Sequence, residues 1–110
     1  MISEAQAWLS QIDNGDYVNS WNESSTLFRG AINKQDWSTS LAAVRKPLGK
    51  LIGRKVAKTE ESNSLPGVPD GRYIVMHFNT SFEQKKSTLE TVTFTLDVDK
   101  KWRAAGYFIK

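Results

Sequence analysis

The sequence predicts an α+β fold, with helices gathered in its first half and antiparallel strands in its second. Two observations carry this. In residues 1–48 the apolar side chains recur three and four apart, as Ala5, Trp8, Leu9 and Ile12 and again as Trp37, Leu41, Val44 and Leu48. That is the stripe of a helix burying one side. In residues 71–110 they alternate instead: Val92, Phe94, Leu96 and Val98 interleave with Thr91, Thr93, Thr95 and Asp97, the period of two that turns one strand face into a core. Segregation of the two periods along the chain marks α+β rather than a doubly wound parallel sheet. Short connections make sequential strands neighbours. The expectation is therefore N-terminal helices packed on a curved antiparallel sheet of about four strands, in one domain of 110 residues.

Ser3, with Gln6 three residues on, forms a capping box for the first helix. Asn14-Gly15 ends it, because glycine takes the left-handed conformation after a helix at no steric cost. Asp16 caps a short second helix with Tyr17, Val18 and Trp21 inward. Leu27, Phe28 and Ile32 lie in a connecting segment that packs on the core. Asn33 caps the third helix, Asp36 suits its dipole, and Pro47 stops it near Arg45 or kinks it on to about Gly49.

Leu51–Ser62 reads as an edge strand, its lysines and arginines guarding against unwanted pairing. Leu65-Pro66-Gly67 favours a type II turn in the loop that follows. Gly71–Glu83 alternates with Ile74, Met76, Phe78 and Phe82 on one face and Tyr73, Val75, His77, Asn79 and Ser81 on the other. Gln84-Lys85-Lys86 turns the chain, Leu89–Val98 returns, and Trp102–Lys110 completes a meander around the helices.

Composition narrows function mainly by exclusion. There is no cysteine, hence no disulfide framework, thiolate zinc site or cysteine nucleophile. With a single histidine besides, neither metal nor cofactor is expected. No apolar run approaches the roughly 20 residues that span a membrane. Met1 leads almost directly into an amphipathic segment, so no secretory leader is read. The compartment is not read from the sequence: a periplasm or envelope is expected if a leader has been removed, and the cytoplasm otherwise.

The net charge of +3 is uneven: residues 1–44 carry −3, residues 45–58 carry +6 and the rest are neutral. The basic run Arg45, Lys46, Lys50, Arg54, Lys55 and Lys58 suits a phosphate or an acidic partner. It contains no aromatic platform for base stacking, so nucleic acid is not expected. A solvated helix end and edge strand are the ordinary alternative.

Several stretches together resemble a bacterial domain-of-unknown-function family, the one numbered 4019. They are Ser64-Leu65-Pro66-Gly67-Val68-Pro69-Asp70-Gly71, Phe78-Asn79-Thr80-Ser81-Phe82, Glu90-Thr91-Val92-Thr93 and the ending Trp102-Arg103-Ala104-Ala105-Gly106-Tyr107-Phe108-Ile109-Lys110. Ala7-Trp8-Leu9, Gly15-Asp16-Tyr17, Ser20-Trp21 and Ala43-Val44-Arg45-Lys46-Pro47-Leu48-Gly49 extend the resemblance over nearly the whole chain. It implies a cystatin-like, or nuclear-transport-factor-2-like, α+β cone in which a curved sheet wraps a long helix. Many members of that family carry a secretory leader, and it implies no biochemical role. Lys100-Lys101 stand where such hairpins often place glycine.

Two functional classes follow. The first is a non-catalytic module that binds a small-molecule ligand or a protein partner. Tyr17, Trp21 and Phe28 would line a cone-mouth pocket with Glu90, an aromatic site with one carboxylate. Val75, His77, Thr93, Thr95 and Tyr107, with Ala105 and Ile109, would form an outer sheet face through which two copies could pair as a homodimer. The second class is a small cone-fold enzyme of isomerase or dehydratase type, with Glu90 or His77 as general base. By strand parity Glu90 shares the core face of Val92 and Phe94, whereas His77 points to the opposite side. The two therefore do not make an acid–base pair, and no catalytic residue is assigned.

Overall fold

The computed structural model describes all 110 residues. Helices α1 (Ile2–Asp13), α2 (Tyr17–Asn22), α3 (Thr26–Ala31) and α4 (Lys34–Arg45) come first, and a 3-10 turn, Lys46–Leu48, ends the helical half. Strands β1 (Leu51–Ser62), β2 (Tyr73–Phe82), β3 (Lys85–Leu96) and β4 (Trp102–Ile109) follow. They form an antiparallel sheet in the order β1-β2-β3-β4. This is the α+β meander that the two periodicities imply. No helix is long and apolar enough to cross a membrane.

The helix ends obey local chemistry. Gly15 adopts φ +78°, its amide bonds to the Ile12 carbonyl, and the Asp16 amide bonds back to Gln11. These are the two reverse bonds that satisfy the last carbonyls of a helix. Asp16 caps α2, and Asn33 Oδ1 accepts from the Asp36 amide at 2.8 Å. α1 begins at Ile2, ahead of the expected Ser3 cap. The segment read as a connection holds α3, capped by Ser25. Asp97 accepts from the Thr26 amide at 3.0 Å, and the Ser25 amide bonds to the Ala104 carbonyl, so α3 is fastened to the sheet at both points.

One hydrophobic cluster fills the space between helices and sheet. Trp8 is its hub: it stacks on Trp37 at 6.2 Å and meets the rings of Phe94 and Tyr107 edge-on. Ile74, Met76, Phe78, Val92 and Phe94 supply the sheet side. The helical stripes run slightly differently from expectation. Val18 and Val44 are exposed, while Ser20 and Arg45 are buried in their places. Ser20 earns its position by hydrogen bonding, since its hydroxyl accepts from Trp37 Nε1 and its carbonyl accepts from Trp8 Nε1, both at 2.9 Å.

Two strand details matter for the site. β3 ends at Leu96, so Val98 lies exposed in the turn rather than on the apolar face. There Lys100 takes φ +68°, a left-handed conformation that costs a side-chain-bearing residue about 1–2 kcal/mol. In β4 the pairing skips from Phe94↔Ala104 to Thr93↔Gly106. The bulge at Ala105 reverses the parity of every later side chain. Tyr107 consequently pairs with Val92 and packs on the core, and Phe108 turns outward.

Candidate functional site

Each strand contributes a polar side chain to an ionic seam on the helix-facing side of the sheet. Arg54 comes from β1, Thr80 from β2, Glu90 from β3 and Tyr107 from β4; Asp13 at the end of α1 and Arg45 at the end of α4 complete it. Glu90 is 0% exposed. Its Oε1 accepts from Arg54 Nε at 2.6 Å and from Thr80 Oγ1 at 2.6 Å. Its Oε2 accepts from Arg54 Nη2 at 3.1 Å and from the Tyr107 hydroxyl. The other side of Arg54 grips Asp13 in a fork, Nη1 to Oδ2 at 2.8 Å and Nη2 to Oδ1 at 3.0 Å. Arg45 Nη2 adds a bond to Asp13 Oδ1 at 2.8 Å. Two carboxylates and two guanidinium groups balance in charge, the condition under which burying them is tolerable.

The electrostatics follow this geometry. Burial opposes the Arg54 cation, but the hydrogen bonds and charges of Asp13 and Glu90 outweigh it and raise its pKa further. Burial and then the Glu90 charge push the Tyr107 hydroxyl well above its ordinary range, so it stays protonated and donates. Asp13 is raised by burial and lowered more by its bonds to Arg54 and Arg45, and it ends below its usual 3.8. A carboxylate ionised more readily in the folded state adds stability above its unfolded pKa, and that stability is lost as pH falls through the folded value. The urea midpoint should therefore drop as pH falls below about 4. It should drop less steeply in Asp13→Asn; equal slopes for the two proteins would contradict this seam.

The residues singled out from sequence separate in space. Glu90 does face the core, but it meets an arginine fork and two hydroxyls, not an open apolar cavity. Trp21 bonds through Nε1 to the Ile32 carbonyl at 2.8 Å, and Phe28 packs edge-on against Trp37. Tyr17 borders a different cleft, between the ends of α1 and α4. No cavity gathers these four, so the expected pocket of Tyr17, Trp21, Phe28 and Glu90 does not form. His77 Nδ1 lies 3.1 Å from Thr91 Oγ1 on the outer face, across the sheet from Glu90. On that outer face Val75 and Thr93 remain partly exposed. Thr95 is buried, with its hydroxyl bonded to the Arg72 carbonyl, and Tyr107 has left for the core. The bulge and the overlying 63–72 loop are the reasons for the last two corrections. Phe108, 62% exposed and paired with Thr91, stands where Tyr107 was expected.

Sequence reasoning placed Arg45 and Arg54 in the basic run rather than in a buried seam, and it singled out neither Asp13 nor Thr80. The helical pair had a signal: Asp13 follows Leu9, and Arg45 follows Leu41, by four residues, so complementary charges continue two apolar stripes. Arg54 and Thr80 had none, because the register that sets them opposite one another is a tertiary fact.

One concavity, of about 480 Å³, lies over β1–β3 and has Arg54 and Thr80 of the seam in its polar wall. A cleft of about 460 Å³ opens between α1 and the start of β4, with Trp8, Phe94 and Trp102 in its wall and Glu4, Glu23, Lys101 and Arg103 around it.

Fold and seam together define an α+β protein whose antiparallel meander is locked to its helices by buried ion pairs. Residues 4–107 match the family model described as "Protein of unknown function (DUF4019)", and the chain belongs to that family. No curated protein and no solved structure matches it.

Proposed function

We propose that this chain is a non-catalytic binding or interaction module built on a cystatin-like cone. The observation that carries the reading is the enclosure of Glu90. Both of its oxygens are committed to Arg54, Thr80 and Tyr107, and none of its surface reaches solvent. A general base must reach the proton it removes, and this carboxylate can meet no substrate unless the seam is taken apart. His77, on the opposite face, is hydrogen-bonded to Thr91 and not to a carboxylate.

The ligand place in this reading is the cleft of Trp8, Phe94 and Trp102. Its aromatic wall supplies contact area and its charged rim supplies orientation, the usual division of labour in small-molecule sites. Titration with indole, followed by the indole N–H signals of the four tryptophans, tests it. Saturable shifts confined to Trp8 and Trp102, and lost in Trp102→Ala, are expected. Shifts spread evenly over all four tryptophans would count against the cleft.

A second reading concerns the outer face. Val75, His77, Thr91, Thr93 and Phe108 carry no carboxylate, lysine or arginine, and beside them on β1 Lys58 and Glu60 are paired with each other. Phe108 is the apolar anchor that such a homodimer would use. Sedimentation of Phe108→Glu beside the parent checks this: a dimeric parent and a monomeric variant are expected. A monomeric parent at about 100 μM, far above the Kd of most stable dimers, would end this reading.

A further inference from the structure

The two edges of the sheet are built differently. β1 carries Lys55, Lys58, Glu60 and Glu61 and breaks register twice against β2. Charges and bulges are what keep an edge from pairing. At β4, the other edge, the Ser25 amide takes the Ala104 carbonyl, so α3 covers the first half. The second half, residues 105–109, has neither charge nor proline.

The ladder sets which way its backbone points. Leu89 and Lys110 exchange both backbone bonds. Antiparallel pairs alternate between bonded and non-bonded, so Phe108 bonds to Thr91, while the N–H and C=O of Tyr107 and Ile109 point away from β3. No amide or carbonyl from a turn, loop or cap reaches those groups. The flank beside them is uncharged as well. A groove of about 220 Å³ runs between α4 and β4, with Leu41 and Val44 on one side and Tyr107 and Ile109 on the other. α4 carries no charge from Trp37 to Val44, although Thr39, Ser40, Ala43 and Val44 are exposed. The solvated side of a surface helix ordinarily carries charged residues.

We propose that this edge pairs antiparallel with the same edge of a second copy, joining the two sheets into one. The proposal rests on the homodimer reading above and assigns the contact to the strand edge and α4 instead of the outer face. The occupant is a second copy because the edge is complementary to itself. Its outward groups sit at Tyr107 and Ile109, so Tyr107 of each copy bonds to Ile109 of the other, and the two-fold axis passes beside Phe108. The two Phe108 rings, each 62% exposed in the single chain, then face one another as a close cross-strand pair. On the helix side, Ile109 of one copy stands opposite Tyr107 of the other and closes its groove. Lys110 falls opposite Gly106. The two Lys110 side chains are therefore about 13 Å apart along the strands, beyond the ~8 Å over which physiological salt leaves charges unscreened.

The test is sedimentation of the full chain at about 100 μM and on dilution, with three variants beside the parent. Ile109→Pro removes an outward N–H that β3 does not use, the one place a strand accepts proline. Val44→Glu puts a carboxylate at a helix position 47% exposed, so it keeps the fold. Val75→Glu charges the outer face on β2, two strands away from the edge. The parent and Val75→Glu should be dimers of similar Kd. Ile109→Pro and Val44→Glu should each raise Kd by about tenfold or more, because one loses two interchain bonds and the other leaves two unpaired carboxylates against an apolar groove. A dimer undiminished in either edge variant would overturn the edge pairing, and one lost in Val75→Glu alone would return the contact to the outer face. A monomeric parent would overturn both the edge pairing and the homodimer reading beneath it.

Discussion

Replacing Arg54 by methionine should destabilise the protein by about 3–5 kcal/mol, the cost of removing one partner from a buried ion-pair set. The magnitude follows from what is left behind. Glu90, with no exposed surface, would keep only two hydroxyl donors, and Asp13 would keep only Arg45. Methionine fills much of the arginine stem's volume, so the loss reports charge more than cavity. The double variant Arg54→Met/Glu90→Leu removes one charge of each sign and leaves Asp13–Arg45 as a matched pair. It should recover part of the loss, a coupling that a double-mutant cycle measures. Urea denaturation at neutral pH is the experiment. A loss under about 1 kcal/mol for Arg54→Met would mean that solvent reaches the seam and that Glu90 is not sealed.

Trp8→Ala should cost a similar amount, about 3–5 kcal/mol, for a different reason. The indole touches Trp37, Phe94 and Tyr107, and its Nε1 holds the Ser20 carbonyl between α1 and α2. Truncation opens a cavity among aromatic rings that cannot collapse without giving up their own partners. Trp8→Phe retains most of the volume and loses the hydrogen bond. Because the Ser20 carbonyl also accepts from Ser24 Oγ at 2.6 Å, that bond's loss leaves no orphaned acceptor. The phenylalanine variant should therefore lose less than half of what alanine loses, by thermal or urea unfolding. Equal losses would shift the weight from packing to the indole N–H.

Much of the fold was legible because its determinants are local. Gly15, Asp16 and Asn33 act within three or four residues of themselves, and each ends or starts a helix where its chemistry says. The alternation of Ile74, Met76 and Phe78 is a property of one strand and survives in the structure unchanged. Readings failed where a single residue shifted a count. The bulge at Ala105 is marked only by Gly106 beside it, a strand-interior glycine of the kind that accompanies bulges, and it exchanged Tyr107 for Phe108 on the outer face. The site was harder still, because Glu90 could be assigned a face from parity but not a partner.

By itself the sequence determined the α+β class, the order of the strands, the main caps and the inward turn of Glu90. All of these depend on spacing along the chain, which neighbouring residues enforce. The tertiary structure decided what Glu90 means. Asp13, Arg45 and Arg54 lie 32 to 41 residues apart in the pairs they make, and only the β1–β2 register and the docking of two helix ends bring them together. Long-range charge pairing leaves no period in a sequence, since it is fixed by desolvation and geometry in three dimensions. That pairing converted a candidate general base into an enclosed anchor, and it left Nε and Nη1 of Arg45 without an acceptor.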